Sequence, residues 1–149
     1  MAVGIRQMAG HPRVVALLHR ALNHELGAVQ HCVLQAGQAD RLGLRRLAEE
    51  LRESARDELA HAEAFAARLL DCGMPLRPAG APVPPIGRSH EDLLRRSLAL
   101  EVAAVRLYEE SVRVCRTLGE SASEALFARV LAEEWGHLRA LETRWRNHA

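Results

Sequence analysis

The sequence predicts an all-α protein, a four-helix bundle made of two antiparallel hairpins joined by a long crossover. Three observations carry that prediction. Apolar residues recur at helical spacing through four long segments. Ala, Leu, Arg and Glu, all good helix formers, dominate those segments. Gly and Pro gather between them, above all in PLRPAGAPVPPIG at residues 75–87.

The elements follow in order. Pro12 suits a helix's first turn, so the first helix is expected over about 12–39. The second is expected over about 44–71, where DCGMP supplies a Gly-then-Pro stop. The proline-rich crossover then fills 72–88. Ser89, with Asp92 three residues on, makes a capping-box-like start for a third helix reaching about 117. Ser121 with Glu124 does the same for a fourth, over about 121–146. Short, long and short connections make two helical hairpins and a crossover within one domain, 1–149.

Composition narrows the function. Charge is nearly balanced at +1, against the clustered basic excess of a nucleic-acid binder. All 20 basic residues are Arg. Cys32, Cys72 and Cys115 form no C-x-x-C pair, which argues against a disulfide framework or a cysteine-held metal module. No apolar run is long enough to span a membrane and no signal-peptide pattern opens the chain, so a cytoplasmic protein is expected.

Glu-x-x-His occurs twice, as Glu58 with His61 and Glu134 with His137. With 15 Glu and 8 His in 149 residues, about one such match arises by chance, so the motif alone is weak. Its setting is not. Glu25 precedes Glu58 by 33 residues, and Glu101 precedes Glu134 by 33. The set Glu25, Gly43, Glu58, His61 recurs 76 positions later as Glu101, Gly119, Glu134, His137. Each glutamate pair is centred beside a Leu-Gly turn, so folding there brings its two members to one level. All four glutamates interrupt apolar stripes: Leu18, Leu22, Val29 and Cys32; Leu47, Leu51, Ala62, Phe65 and Leu69; Leu94, Leu98, Val105 and Tyr108; Phe127, Val130, Leu138, Leu141 and Trp145. Four carboxylates and two imidazoles therefore point inward in one layer.

Such a layer wants metal. Buried carboxylates cost several kcal/mol each or take up protons, and no Arg lies on the stripes to pair them. Two divalent cations cancel four negative charges. Carboxylate and imidazole without thiolate suit iron or manganese, and zinc can use the same ligands.

In NHELGAVQ, RDELAHAE, LALEVAAV and LAEEWGHLRALE, and in the position of the proline-rich crossover, the chain resembles the bacterioferritins over nearly its whole length. The resemblance implies a ferritin-like fold and a ferroxidase. Such a protein oxidises Fe(II) with oxygen or hydrogen peroxide and stores the mineral in a hollow multi-subunit shell. It implies two iron ions per subunit, with Glu58 and Glu134 bridging, Glu25 with His61 terminal on one iron and Glu101 with His137 on the other. Leu59 stands where the family presents the methionine that ligates an inter-subunit haem, so haem is expected to be absent. Only 12 residues follow His137, so the family's fifth helix is expected to be lacking. A homo-oligomer, whether a 24-subunit shell or a smaller assembly, or a mixed oligomer with a longer bacterioferritin is expected. Cys32 replaces the family's tyrosine seven residues after the first ligand, and Tyr108, seven after Glu101, is a candidate for its hydrogen-bonding or electron-donor role.

The other polar residues have blander readings. Cys32 reads as a small packing residue. Trp135 and Trp145 are expected at helix or subunit contacts. His11, His19, His24, His31, His90 and His148 lack paired carboxylates at metal spacing and are expected at the surface or an interface. Glu53 and Asp57 read as a solvated face, with cavity-side iron uptake or nucleation as the alternative; Asp57 matches a family position for this, whereas Glu53 stands where the family often has His. Two competing functions share the six ligands. One is a non-storing di-iron oxidase or peroxidase of rubrerythrin type, although its four-cysteine module is missing. The other is a structural subunit of a mixed cage, which has no need of intact ligands.

Overall fold

The computed structural model describes residues 10–77, 80 and 83–148. Positions 78, 79, 81 and 82 of the expected crossover, and positions 1–9 and 149 of the expected domain, lie outside the described residues. The helices are α1 (Pro12–Arg41), α2 (Arg45–Asp71), α3 (His90–Thr117) and α4 (Ser121–His148). No strand occurs among the described residues. α1 packs along α2 and α3 along α4; the hairpins meet through α1 against α3 and, more thinly, α2 against α4.

Both hairpin turns are built alike. Gly43 and Gly119 adopt φ of 77° and 69°, a left-handed conformation that favours glycine. The following N–H, of Leu44 or Glu120, reaches back to Ala39 or Cys115, which closes each helix end. At α3 the Ser89 hydroxyl accepts from the Asp92 N–H at 3.1 Å. Ser121 differs from expectation: it is the first helical residue, and the Glu120 carbonyl receives the Glu124 N–H. The Glu124 carboxylate pairs with Arg116 instead, because a cross-turn cation is within reach.

Two apolar clusters fill the bundle. One, around Leu18, Phe65, Leu69, Tyr108 and Phe127, occupies the end holding the α3–α4 turn. The other, around Leu47, Leu51, Leu93 and Leu94, fills the end holding the α1–α2 turn, with Leu141 and Trp145 packed partly against it. The six candidate ligands fall between the two along every helix.

His31 departs from its expected place at the surface or an interface: it is fully buried within the single chain. Its face of α1 also carries Ala28 and Gln35, both buried. Gln35 donates to the Leu93 carbonyl at 2.8 Å and to Ser97 Oγ at 2.9 Å, and accepts from the Gly87 N–H at 2.8 Å. This polar staple ties α1 to α3 and to the end of the crossover, and it encloses the residues around it. Gly87 is required there, since a Cβ would lie 2.5 Å from the Leu93 nitrogen. His24 is half-buried with its ring edge-on to Tyr108.

Candidate metal centre

α1 supplies Glu25, α2 Glu58 and His61, α3 Glu101, and α4 Glu134 with His137. The (i, i+3) spacing on α2 and α4 puts each imidazole on the same face as its glutamate. Five of the six residues are buried, and His137 keeps 20% of its side chain exposed. Their ligating atoms form two overlapping groups, each within 4.8 Å: Glu25, Glu58, His61 and Glu134; and Glu58, Glu101, Glu134 and His137. Glu58 and Glu134 belong to both. That is the geometry of two cations sharing two carboxylates.

Both imidazoles turn Nδ1 inward. His61 Nδ1 lies 3.1 Å from Glu58, 2.9 Å from Glu134 and 3.7 Å from Glu25. His137 Nδ1 lies 3.3 Å from Glu58, 3.5 Å from Glu134 and 3.8 Å from Glu101. One nitrogen cannot satisfy three carboxylates. Accordingly Glu25 Oε2, Glu101 Oε2, both Glu134 oxygens and His137 Nδ1 are buried without a hydrogen-bond partner. Native interiors seldom leave such groups orphaned.

Without a cation, the layer balances itself with protons. Burial raises Glu25 to about 9 against the opposing pull of the nearby His61, and Glu58 and Glu134 push it further up. Burial, then Glu134, likewise holds Glu101 well above the carboxylate range. Burial alone would raise Glu58 and Glu134, but the close approach of the His137 and His61 imidazoles outweighs it and keeps both low. His137 is raised to about 10 by Glu134 and Glu58. Burial opposes the charge on His61, yet Glu134, Glu25, Glu58 and Glu133 raise it. Two neutral carboxyls, two carboxylates and two imidazoliums sum to zero, so divalent cations can replace protons without leaving net charge behind. The donor set fits two such ions.

The sequence reading missed Glu133. His61 Nε2 meets Glu133 Oε2 at 2.6 Å, and His137 Nε2 meets Asp57 Oδ2 at 3.1 Å. An N–H on each outward nitrogen leaves Nδ1 free to ligate, an arrangement common around metal-bound histidine. The 76-residue offset relates Asp57 to Glu133, and this was the signal available. Asp57 and Glu53 also border a cavity of about 220 Å³ that reaches His137 between α2 and α4.

Tyr108 is fully buried and donates its hydroxyl to Glu25 Oε1. Burial and the neighbouring Glu25 hold the phenol well above its ordinary range. Cys32, the pseudo-symmetric residue, is buried, and burial pushes its thiol up, so it stays protonated. Leu59, for which the resemblance implies the place of a haem ligand, faces outward from α2 and is 45% exposed.

Residues 15–147 match the Ferritin-like domain family. Bacterioferritin from Brucella melitensis is 36% identical over 91% of this chain and 84% of its own. Bacterioferritin from Mycolicibacterium paratuberculosis is 32% identical over 91% and 86%. Among solved structures, the bacterioferritin of Rhodobacter capsulatus, described with a metal-free dinuclear site and haem iron, is similar with a TM-score of 0.89. It is 30% identical, and the likeness covers 95% of this chain and 88% of that one. Four helices arranged as a ferritin-like bundle, and this identity over most of the length, place the chain in the bacterioferritin family.

Proposed function

We propose that the chain is a ferroxidase and iron-storage subunit. Its substrate is Fe(II), its oxidant is oxygen or hydrogen peroxide, and its ferric product passes into the interior of an oligomeric shell. One observation carries this reading: two four-residue ligand groups share Glu58 and Glu134. Two iron ions held side by side can deliver two electrons to one oxidant molecule.

The chain's own residues then have separate tasks. Glu58 and Glu134 fix the spacing of the pair. Glu25 with His61, and Glu101 with His137, complete the two ends. Glu133 and Asp57 hold the outward imidazole N–H groups and so set the tautomer. Tyr108 fixes one rotamer of Glu25 and is the nearest phenol able to supply an electron or proton to that side. Phe65 and Phe127, packed on Tyr108 with centroids 5.5 and 5.9 Å away, keep water from this end of the layer.

Assembly is part of the proposal. Val33 and Leu34 on α1, with Leu59 and Leu70 on α2, are large apolar side chains half-exposed in the single subunit. A homo-oligomer, or a mixed one with a longer bacterioferritin, would cover them. Leu59 offers no ligating atom, so that contact is haem-free, and a stoichiometric haem spectrum in the purified protein would overturn this. No helix among the described residues is long and apolar enough to cross a membrane. The site of action is the cytoplasm.

Native mass together with iron content after aerobic Fe(II) addition tests the reading. Hundreds of irons per oligomer are expected. Two per subunit and no more would assign a non-storing oxidase, and no ferrous oxidation at all would assign a structural subunit.

A further inference from the structure

We propose that a groove between α2, the start of α3 and the end of α4 is a binding site for a tetrahedral oxyanion, inorganic phosphate being its chemical type. The groove has a volume of about 740 Å³, and Arg46, Arg139 and Arg144 line it together with His90 and a single carboxylate, Glu50. Glu50 is already shared: its carboxylate pairs with Arg46 at 3.2 Å and also with Arg144. Arg139 has no carboxylate partner among the described residues, and its guanidinium lies 5.8 Å from the Trp135 ring. Three guanidiniums against one carboxylate leave a surplus of two positive charges, the charge of one phosphate dianion. Planar guanidinium forks match tetrahedral oxyanions with paired N–H donors.

Further features of the same wall want an anion. An adjoining hollow, sharing Arg46, His90 and Arg144 with the groove, is bounded by residues 43–47 at the start of α2. That start has no side-chain cap and no acidic residue in its first turn, and its first two residues are Arg45 and Arg46. Free N–H groups and cations thus coincide at the positive end of the helix, where an anion is stabilised and a cation is not. His90 Nε2 is buried there with no hydrogen-bond partner. Burial, then the nearby His148 and Arg144, lower the pKa of this imidazole, and an anion beside it would oppose that shift.

The groove also leads somewhere. It shares Glu50, Ala140 and Arg144 with the smaller cavity that ends on His137 and Asp57. A phosphate held on the arginines therefore sits along the seam by which the candidate metal centre meets the outside. On the reading of the chain as an iron oxidiser, ferric product leaving past His137 meets an oxyanion already in place. The proposal rests on that reading for its purpose, and not for the binding itself.

Calorimetric titration of the metal-free protein with inorganic phosphate at moderate salt tests it, with circular dichroism confirming that each variant is folded. Saturable binding is expected, with sulfate competing and chloride not. Arg139→Gln and Arg144→Gln should each weaken it about tenfold or more. Arg106→Gln, on an exposed part of α3 outside the groove, should leave it unchanged. Glu50→Gln should bind phosphate several-fold more tightly, a gain that local unfolding cannot produce. No saturable binding, equal loss in Arg106→Gln, or weaker binding in Glu50→Gln would overturn the proposal. Ferrous oxidation measured on the same samples separates the two readings: binding without oxidation sinks the ferroxidase, and oxidation without binding sinks only the anion site.

Discussion

The two halves of the metal layer carry the same ligands and are supported unequally. On one side His61 is 1% exposed, its outer nitrogen meets a glutamate at 2.6 Å, and Tyr108 holds Glu25 in place. On the other, His137 is 20% exposed, its outer nitrogen meets the shorter Asp57 at 3.1 Å, and a cavity opens beside it. The pseudo-symmetric partner of Tyr108 is Cys32, so Glu101 has no phenol holding it, although Glu25 and Glu101 each keep one oxygen without a hydrogen bond. Repetition has preserved the candidate ligands, while the side chains that hold them have diverged. On the proposed function, a closed half and an open half would give the site one fixed cation position and one through which ions can exchange.

The sharpest break in this comparison is a change common to both halves. Glu134→Gln removes a carboxylate from both ligand groups, so both cation positions should fail together. Ferrous oxidation is expected to fall on the order of 100-fold or more, with metal content falling from two ions toward none. Loss of only one ion, measured by elemental analysis, would show that Glu134 serves a single half.

Next in size are the outer carboxylates. Glu133→Gln should weaken Co(II) binding on the His61 side by roughly 10- to 100-fold, and Asp57→Asn should cost distinctly less because His137 is held more loosely already. Visible absorption of bound Co(II) reads the two sites without any turnover. Equal losses in the two variants would erase the distinction between a closed half and an open one.

The legibility of these features follows their physics. All six candidate ligands were readable because each depends on one helix's periodicity and one hairpin's length. Tyr108 and Asp57 were readable as positions, although Asp57 meets His137 directly. Glu133 was hidden by its neighbour Glu134, since adjacent acids on a helix look like a solvated run until the outward imidazole nitrogen is located. His31 and Gln35 could not be placed from their own helix. Gln35 is buried because Leu93, Ser97 and the Gly87 amide, at least 52 residues away, receive and supply its hydrogen bonds. A polar residue on an inner face reads as exposed whenever its partners come from a distant segment.

Smaller effects sharpen the same contrast. Tyr108→Phe leaves a second oxygen of the buried Glu25 without a partner, and should destabilise the metal-free protein by about 1–3 kcal/mol in urea unfolding. It should also alter single-turnover oxidation kinetics, whereas Cys32→Ala should leave them near wild type. Unchanged kinetics in Tyr108→Phe would reduce the phenol to a packing role.

The smallest difference lies at the helix starts. α3 opens with Glu91 and Asp92, whereas α1 has no acid in its first turn. Hydrogen bonds from Arg95 and the Arg88 N–H hold Asp92 at about 2, below its ordinary 3.8. Because the folded value is the lower one, this contribution is complete above about pH 4 and is lost as pH falls through about 2. Asp92→Asn should therefore lose this small contribution at neutral pH and flatten the acid limb of the stability curve, with the two proteins converging as pH falls through about 2. An identical acid limb in both proteins would remove Asp92 from the account.

The most direct test of the central claim is anomalous diffraction at the iron edge from crystals soaked anaerobically in Fe(II). Two peaks are predicted within each subunit, both contacted by Glu58 and Glu134, with Glu25 and His61 on one and Glu101 and His137 on the other. A fully loaded crystal with a single peak in the layer, or with iron only at other residues, would contradict it.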